Sequence, residues 1–244
     1  MRSCLTIFPE PHLAFIFEPV ARPALPIVGT DKLFPVRRVY CVGRNYAAHA
    51  REMGGDPTRE PPFFFQKPAD ALQPVPHGQV VDHPYPSKTA NYHFELEMVV
   101  ALAKGGRDIP VDKALDCVFG YAVGLDMTRR DLQDEAKQSR RPWEPGKASD
   151  LSGPIGPLYP VADVGHKLKG PISLTVDGVV KQKADLADMI WSVAEQISYL
   201  SAYFEVFPGD VIFSGTPDGV GAVTRGQTMV AAVDGLGEIS LKVV

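Results

Sequence analysis

The chain has 244 residues, a formal net charge of −4 and a sequence pI near 5.9, with 45% hydrophobic and 22% charged residues. No block of like charge marks a nucleic-acid or anionic-membrane surface, and no apolar run approaches the roughly 18 residues that span a bilayer. A small-molecule substrate is therefore expected, with no nucleic-acid and no membrane partner. The 22 Gly and 23 Pro exceed the about 12% of an average chain, which in so apolar a sequence predicts many turns and few long helices rather than disorder. Cys4, Cys41 and Cys117 are odd in number and lack C-x-x-C spacing, so neither a disulfide frame nor a zinc site is expected. Met1 to Pro11, broken by Pro9, Glu10 and Pro11, lacks the apolar run of a signal peptide, and cytoplasmic residence is expected.

Residues 1–34, Pro-rich around an apolar Phe15-Ile16-Phe17, read as a strand-bearing extension, and 35–244 as the main domain. Val39 to Val42 is a short strand, after which Asn45 is placed to cap a short helix that Gly54-Gly55 stops. Phe63 to Phe65 with Gln66-Lys67-Pro68 reads as a buried strand ending in a charged turn, and Pro74 to Pro86 as loop or hairpin. Phe94 to Leu102 and Cys117 to Leu125 are strand-length apolar runs around a helical turn in Val111 to Asp116. A helix from Thr128 to Ser139 opens on a Thr128/Asp131 capping signature, and Pro142 to Pro160 is expected to be loop. Asp177-Gly178 between Ile172–Val176 and Val179–Gln182 is the strongest hairpin signal. Met189, Ile190, Val193, Ile197 and Leu200 recur at helical spacing within Ala187 to Phe204, and strands at Val211, Met229 and Ile239 finish the chain. Strands outnumber helices, so the fold class is α+β, mostly β.

Glu95 and Glu97 stand at i and i+2 in an apolar strand, on one face and about 6.5 Å apart along it. Unless solvent reaches this face, one carboxylate must take up a proton or a cation must sit between them. Asp126 ends the next apolar run and is either a third carboxylate for that site or a helix cap. Three oxygen ligands without Cys or paired His suit a hard ion such as Mg²⁺, Mn²⁺ or Ca²⁺. Arg130 and Gln133 follow Asp126 by one and two turns and can project over the same place to hold a carboxylate. His49 and Glu52, three apart on the short helix, are a general base with its orienting carboxylate, or else a solvated pair. Gly43 and Gly54-Gly55 bracket that helix, which reads as a lid over a site. Ser214 to Gly221 is either an anion-cradling glycine turn or plain turn chemistry.

In chain order, Gly43-Arg44-Asn45-Tyr46-Ala47-Ala48-His49 with Glu52, Lys67-Pro68, Glu95-x-Glu97, Gly124-Leu125-Asp126-Met127-Thr128 with Arg130-Asp131-Leu132-Gln133, Lys147, and Gly215-Thr216-Pro217-x-Gly219-Val220-Gly221 resemble the fumarylacetoacetate hydrolase family from Phe34 to Val244. The resemblance implies a mixed β-sandwich roll with short peripheral helices, a homodimer, and Mg²⁺ or Mn²⁺ on Glu95, Glu97 and Asp126. It casts His49 and Glu52 as the water-activating pair, Lys147 as the group that polarises the substrate, and Arg130, Gln133, Thr216, Gly215 and Lys67 as substrate-binding residues. In Arg37–Met53, Arg59–Pro68, Tyr121–Leu132 and Asp185–Trp191 the likeness is strongest to the bacterial branch that hydrolyses fumarylpyruvate in gentisate breakdown, which implies fumarylpyruvate plus water giving fumarate and pyruvate. The alternatives are decarboxylation of oxaloacetate or enol-isomerisation of a 2-oxo acid on the same fold, and, from another class, a non-catalytic metal-binding module. Phe94 stands where many relatives carry His, and Ser149 where they carry an aromatic residue. The first is expected to alter the hydrogen bonding behind the metal, the second to widen the pocket.

Overall fold

Every residue of the strand Leu96–Leu102 is buried, as expected where both faces of a sheet are covered. Its side chains alternate between two apolar layers. Met98, Val100 and Leu102 join the larger cluster, while Val99 and Ala101 join a smaller one with Val39, Cys41, Val211 and Phe213. The computed structural model describes residues 15–52, 54 and 60–244. Among them, the largest sheet runs in the order Phe63–Lys67, Val39–Gly43, Val211–Phe213, Leu96–Leu102, Val118–Leu125, Gly153–Ile155, Leu72–Pro74, with Tyr159–Pro160 also paired to Val118–Leu125.

A second sheet is ordered Val179–Asp185, Pro171–Val176, Thr228–Val233, Glu238–Val243, Val80–His83. Ile172, Leu174, Met229, Ala231 and Leu241 from it share the larger core with Tyr40, Val42 and Met98 of the first. Each such fully buried aliphatic side chain contributes about 1.5–3 kcal/mol, and this inter-sheet layer is what holds the two sheets together. The helix Val193–Tyr203 closes the core with Val193, Ile197 and Leu200. The six α-helices among the described residues are only 4 to 11 residues long, giving the mostly β roll expected of the sequence.

Residues 1–14, and with them the start of the proposed extension, lie outside the described residues, as do Met53 and 55–59. Ala24–Pro26 and Leu33–Pro35 pair antiparallel and bury Leu25 and Phe34 in the smaller cluster. The Asp177-Gly178 hairpin forms as expected, with both residues at positive φ, 50° and 79°, as a two-residue primed turn requires.

Several local expectations change. Asn45 does not cap the helix Ala47–Glu52; its amide is consumed by long-range bonds described below. The Phe94–Leu102 run is two strands, Tyr92–Phe94 and Leu96–Leu102, broken at Glu95. Leu72–Pro74 and Val80–His83 form no hairpin, because they pair in parallel with strands of different sheets. The helix after Asp126 starts at Arg130, since the Thr128 hydroxyl is taken by Asp126 O and Lys147, and Asp131 instead accepts from Thr89 and Ala90. Within Pro142 to Pro160 lie a helical turn, Glu144–Lys147, and the strands Gly153–Ile155 and Tyr159–Pro160. The last helix starts at Val193, where a reciprocal Ser192/Glu195 cap opens it, and not at Ala187. Phe63, Phe64 and Phe65 are only half-buried and face a groove.

Candidate active site

Strand register brings the three carboxylates together. Leu96 pairs with Leu125 and Glu97 with Gly124, and the Asp126 N–H donates to Glu95 O at 2.8 Å, so Glu95 lies opposite Asp126. Alternation then sets Glu95, Glu97 and Asp126 on the face shared by Val99 and Ala122, away from the inter-sheet core. One oxygen from each lies within 4.8 Å of the others, and all three residues are buried. Gly124 is needed opposite Glu97, since a Cβ there would come within 2.5 Å of Val99 and 2.8 Å of Phe213.

Buried carboxylates need counter-charge, and three cations supply it. Lys147 Nζ donates to Glu95 Oε2 at 2.8 Å, Asp126 Oδ2 at 2.7 Å and Thr128 Oγ1 at 2.8 Å. Arg130 donates to Glu95 and to Gln133 Oε1. Lys67 Nζ lies 2.8 Å from Asp126 Oδ1 and donates to Met127 O, Lys147 O and Ser152 Oγ. Burial alone would raise the Glu95 carboxyl, but Lys147 and Arg130 hold it well below the usual carboxylate range. For Lys147, burial works against the charge and is outweighed by Asp126 and Glu95, leaving the ammonium firmly protonated.

Glu97 is the exception. Burial first, then the neighbouring Asp126 and Glu95, push its carboxyl well above the ordinary range, with only the Gly215 N–H, at 2.7 Å, and Lys147 opposing this. A carboxylate driven to seek a proton beside two others is the condition that a hard divalent ion relieves, and the all-oxygen donor set suits Mg²⁺ or Mn²⁺. Three carboxylates against Lys67, Lys147 and Arg130 balance to zero, so a divalent ion here leaves the site positive and ready for an anionic substrate.

His49 sits on the short helix with its ring buried, and its Nδ1 lies 3.2 Å from Glu52 Oε2. With Nδ1–H given to Glu52, the lone pair is on Nε2. Glu52 also accepts from the Gly219 N–H at 3.2 Å, which ties this helix to the 214–221 turn. Asn45 fixes the helix entry. Its Nδ2 donates to Trp191 O and Ser214 O at 2.9 and 2.8 Å, and its Oδ1 accepts from the Trp191 N–H at 2.8 Å. The far end of the expected lid, with Gly55, is outside the described residues.

A cavity of about 250 Å³ opens over the cluster, lined by Glu95, Glu97, His49, Lys147, Arg130, Gln133 and Thr216 among others. Catalytic, metal-ligating and three of the substrate-binding candidates are thus brought together. Two candidates face elsewhere. Lys67 donates to Met127 O, Lys147 O and Ser152 Oγ, braces Asp126 and does not line this cavity. The Gly215 N–H holds Glu97, so the glycine turn cradles the protein's own carboxylates, Glu97 and Glu52. Sequence reasoning missed the aromatic wall Phe63, Phe65 and Trp143, and the cations Arg44 and Lys137. Lys137 carried a signal, four residues after Gln133 on the same helix face, and Arg44 lies within the Gly43-Arg44-Asn45-Tyr46 motif. Phe94 points into the inter-sheet core; the hydrogen bond behind the cluster comes from His93, whose Nδ1 accepts from Arg130 Nε at 3.4 Å. Ser149 Oγ is buried without a partner among the described residues, and it does not line the cavity.

A family model described as fumarylacetoacetate (FAA) hydrolase C-terminal matches residues 38–244. The chain is 61% identical to a crystal structure of fumarylpyruvate hydrolase from Pseudomonas aeruginosa in complex with Mn²⁺ and pyruvate, with a TM-score of 0.94 over 95% of this chain and 99% of that one. It is 42% identical over 188 residues to a fumarylpyruvate hydrolase of Ralstonia sp, covering 77% of this chain and 95% of the relative. It is also 40% identical over 206 residues to a mitochondrial oxaloacetate tautomerase of Arabidopsis thaliana, covering 84% and 90%. The chain belongs to the fumarylacetoacetate hydrolase family.

Proposed function

We propose that this protein is a divalent-metal-dependent hydrolase of β-diketo acids, and that its preferred reaction is fumarylpyruvate plus water giving fumarate and pyruvate. The observation that carries the reading is the convergence, on one cavity, of a buried three-carboxylate cluster, a His49–Glu52 pair and a protonated Lys147. Fumarylpyruvate hydrolases at 61% and 42% identity support the substrate, and the Mn²⁺ complex of the former supports Mg²⁺ or Mn²⁺ as the ion.

A divalent ion on Glu95, Glu97 and Asp126 would supply Lewis acidity to the oxygens of the 2-oxo acid end. His49 Nε2 takes a proton from water as the water oxygen bonds to the distant ketone carbon, and Glu52 steadies the imidazolium that results. The bond between that carbon and the methylene breaks, its electron pair leaves into the enolate of pyruvate, and the proton held on His49 is returned to the former methylene carbon, which completes fumarate and pyruvate. Lys147 places a fixed positive charge beside the developing oxyanion, releasing one of its three present acceptors to do so. Arg130, Gln133 and Thr216 line the cavity and orient the substrate. The working assembly we propose is a homodimer, as the family resemblance implies, with the groove bordered by half-buried Phe64 and Phe204 and exposed Tyr203 as a surface that a second copy of the chain would cover.

The oxaloacetate tautomerase relative favours a second reading, in which the same groups stabilise an enolate of oxaloacetate without water attack. Supplying fumarylpyruvate and oxaloacetate side by side separates the two. Equimolar fumarate and pyruvate released faster than any change in oxaloacetate is the expected result, and the reverse order would establish the second reading.

A further inference from the structure

Two cations at the cavity take no part in the chemistry above. Arg44 and Lys137 both line it. The Arg44 guanidinium lies 5.1 Å from the Phe63 ring centroid, and Lys137 Nζ 5.5 Å from that of Trp143. Those two rings meet edge to face at 5.7 Å, so the cations flank a single aromatic pair. Resting on ring faces holds a cation in place without neutralising it.

The backbone explains why both reach this place. Arg130, Gln133 and Lys137 are spaced i, i+3, i+7 along the helix Arg130–Gln138 and form one row, which rises about 10 Å from the carboxylate cluster to Lys137. Arg44 stands at φ 51°, in the left-handed region that non-glycine residues enter only when held there. Its neighbours do hold it: a Cβ on Gly43 would fall 2.0 Å from the Phe63 ring, and Asn45 is bonded to Trp191 and Ser214. Among the described residues Arg44 has no ion-pair partner, and Lys137 has only a long, partly exposed contact to Asp134 at 3.4 Å.

We propose that Arg44 and Lys137 clamp a second, remote carboxylate of the substrate, so that the site selects dicarboxylic over monocarboxylic β-diketo acids. The inference rests on the β-diketo acid reading above and adds what the far end of the substrate must be. The 2-oxo acid end belongs at the carboxylate cluster, a flat conjugated chain lies along Phe63, Phe65 and Trp143, and the remote carboxylate meets the two cations.

The test is the ratio of kcat/KM for fumarylpyruvate to that for acetylpyruvate, which lacks the remote carboxylate, at saturating Mn²⁺ in Arg44→Gln, Lys137→Met and the double variant. Because both substrates are turned over by the same preparation, any loss of folded protein cancels. The ratio is expected to fall about 10- to 100-fold, mainly through KM for fumarylpyruvate, as for loss of a charged hydrogen bond, with partial recovery in Arg44→Lys and Lys137→Arg. An unchanged ratio, or a wild type that shows no preference between the substrates, would overturn the clamp while leaving the hydrolase reading intact. A wild type inert toward both would sink the hydrolase reading and the clamp with it.

Discussion

Residue by residue, strand alternation made Glu95 and Glu97 legible as a pair, and Asp126 joined them because register, which no local pattern encodes, sets it opposite Glu95. Lys67 is the matching case: its position beside the site was visible, but not the Met127, Lys147 and Ser152 acceptors that turn its ammonium inward. Lys67→Met should therefore weaken Mn²⁺ binding, read by calorimetry, and leave the KM for substrate at saturating metal nearly unaltered; a KM effect without a metal effect would restore it as a substrate contact. His49→Ala is expected to lower kcat at saturating Mn²⁺ by about 10²–10⁴-fold, the usual yield of a positioned base, with Glu52→Gln losing less. A His49→Ala enzyme that keeps most of its kcat would remove His49 from the proton transfer.

At the level of elements, the hairpin at Asp177-Gly178 and the core strands were readable because turn chemistry and burial act locally there. The short helix and strands within Pro142 to Pro160 were not, since Gly153–Ile155 is held by pairing to Leu72–Pro74, some eighty residues away in sequence as judged from that register. Asn45 shows the same failure at one position. A residue that looks like a cap instead joins the Val39–Gly43 strand end to Trp191 and Ser214, through bonds that span 146 and 169 residues. Asn45→Ala strands those buried groups, and should cost about 2–4 kcal/mol, a fall in Tm of about 4–16 °C in a chain of this size. It should also slow turnover, because the His49 helix starts two residues later. Differential scanning calorimetry checks the first effect, and an Asn45→Ala protein as stable as wild type would show that the staple contributes little.

For the whole molecule, acid should act in part through a buried histidine beside the inter-sheet core. His83 is buried between Gln73 Oε1, at 2.6 Å, and the Tyr92 hydroxyl, at 2.8 Å, and burial lowers its pKa to about 4. The unfolded chain protonates this ring near its ordinary value of about 6.5 and the folded chain does not, so stability present above that pH is lost as pH falls toward 4. The loss is at most on the order of 3 kcal/mol, and His83→Gln should flatten the stability profile across that window in urea titrations at pH 7 and 4.5. A slope equal to that of wild type would mean that other groups carry the acid sensitivity. The central claim, however, is that the roll exists to hold one divalent ion on Glu95, Glu97 and Asp126 over a β-diketo acid. Its most direct test is fumarylpyruvate absorbance followed with EDTA-treated protein of measured metal content, before and after Mn²⁺ is added, in wild type and Asp126→Asn. The account predicts no decay without metal, restoration by Mn²⁺ in wild type and none in Asp126→Asn. Full-rate cleavage by the metal-free wild type, or equal restoration in Asp126→Asn, would contradict it.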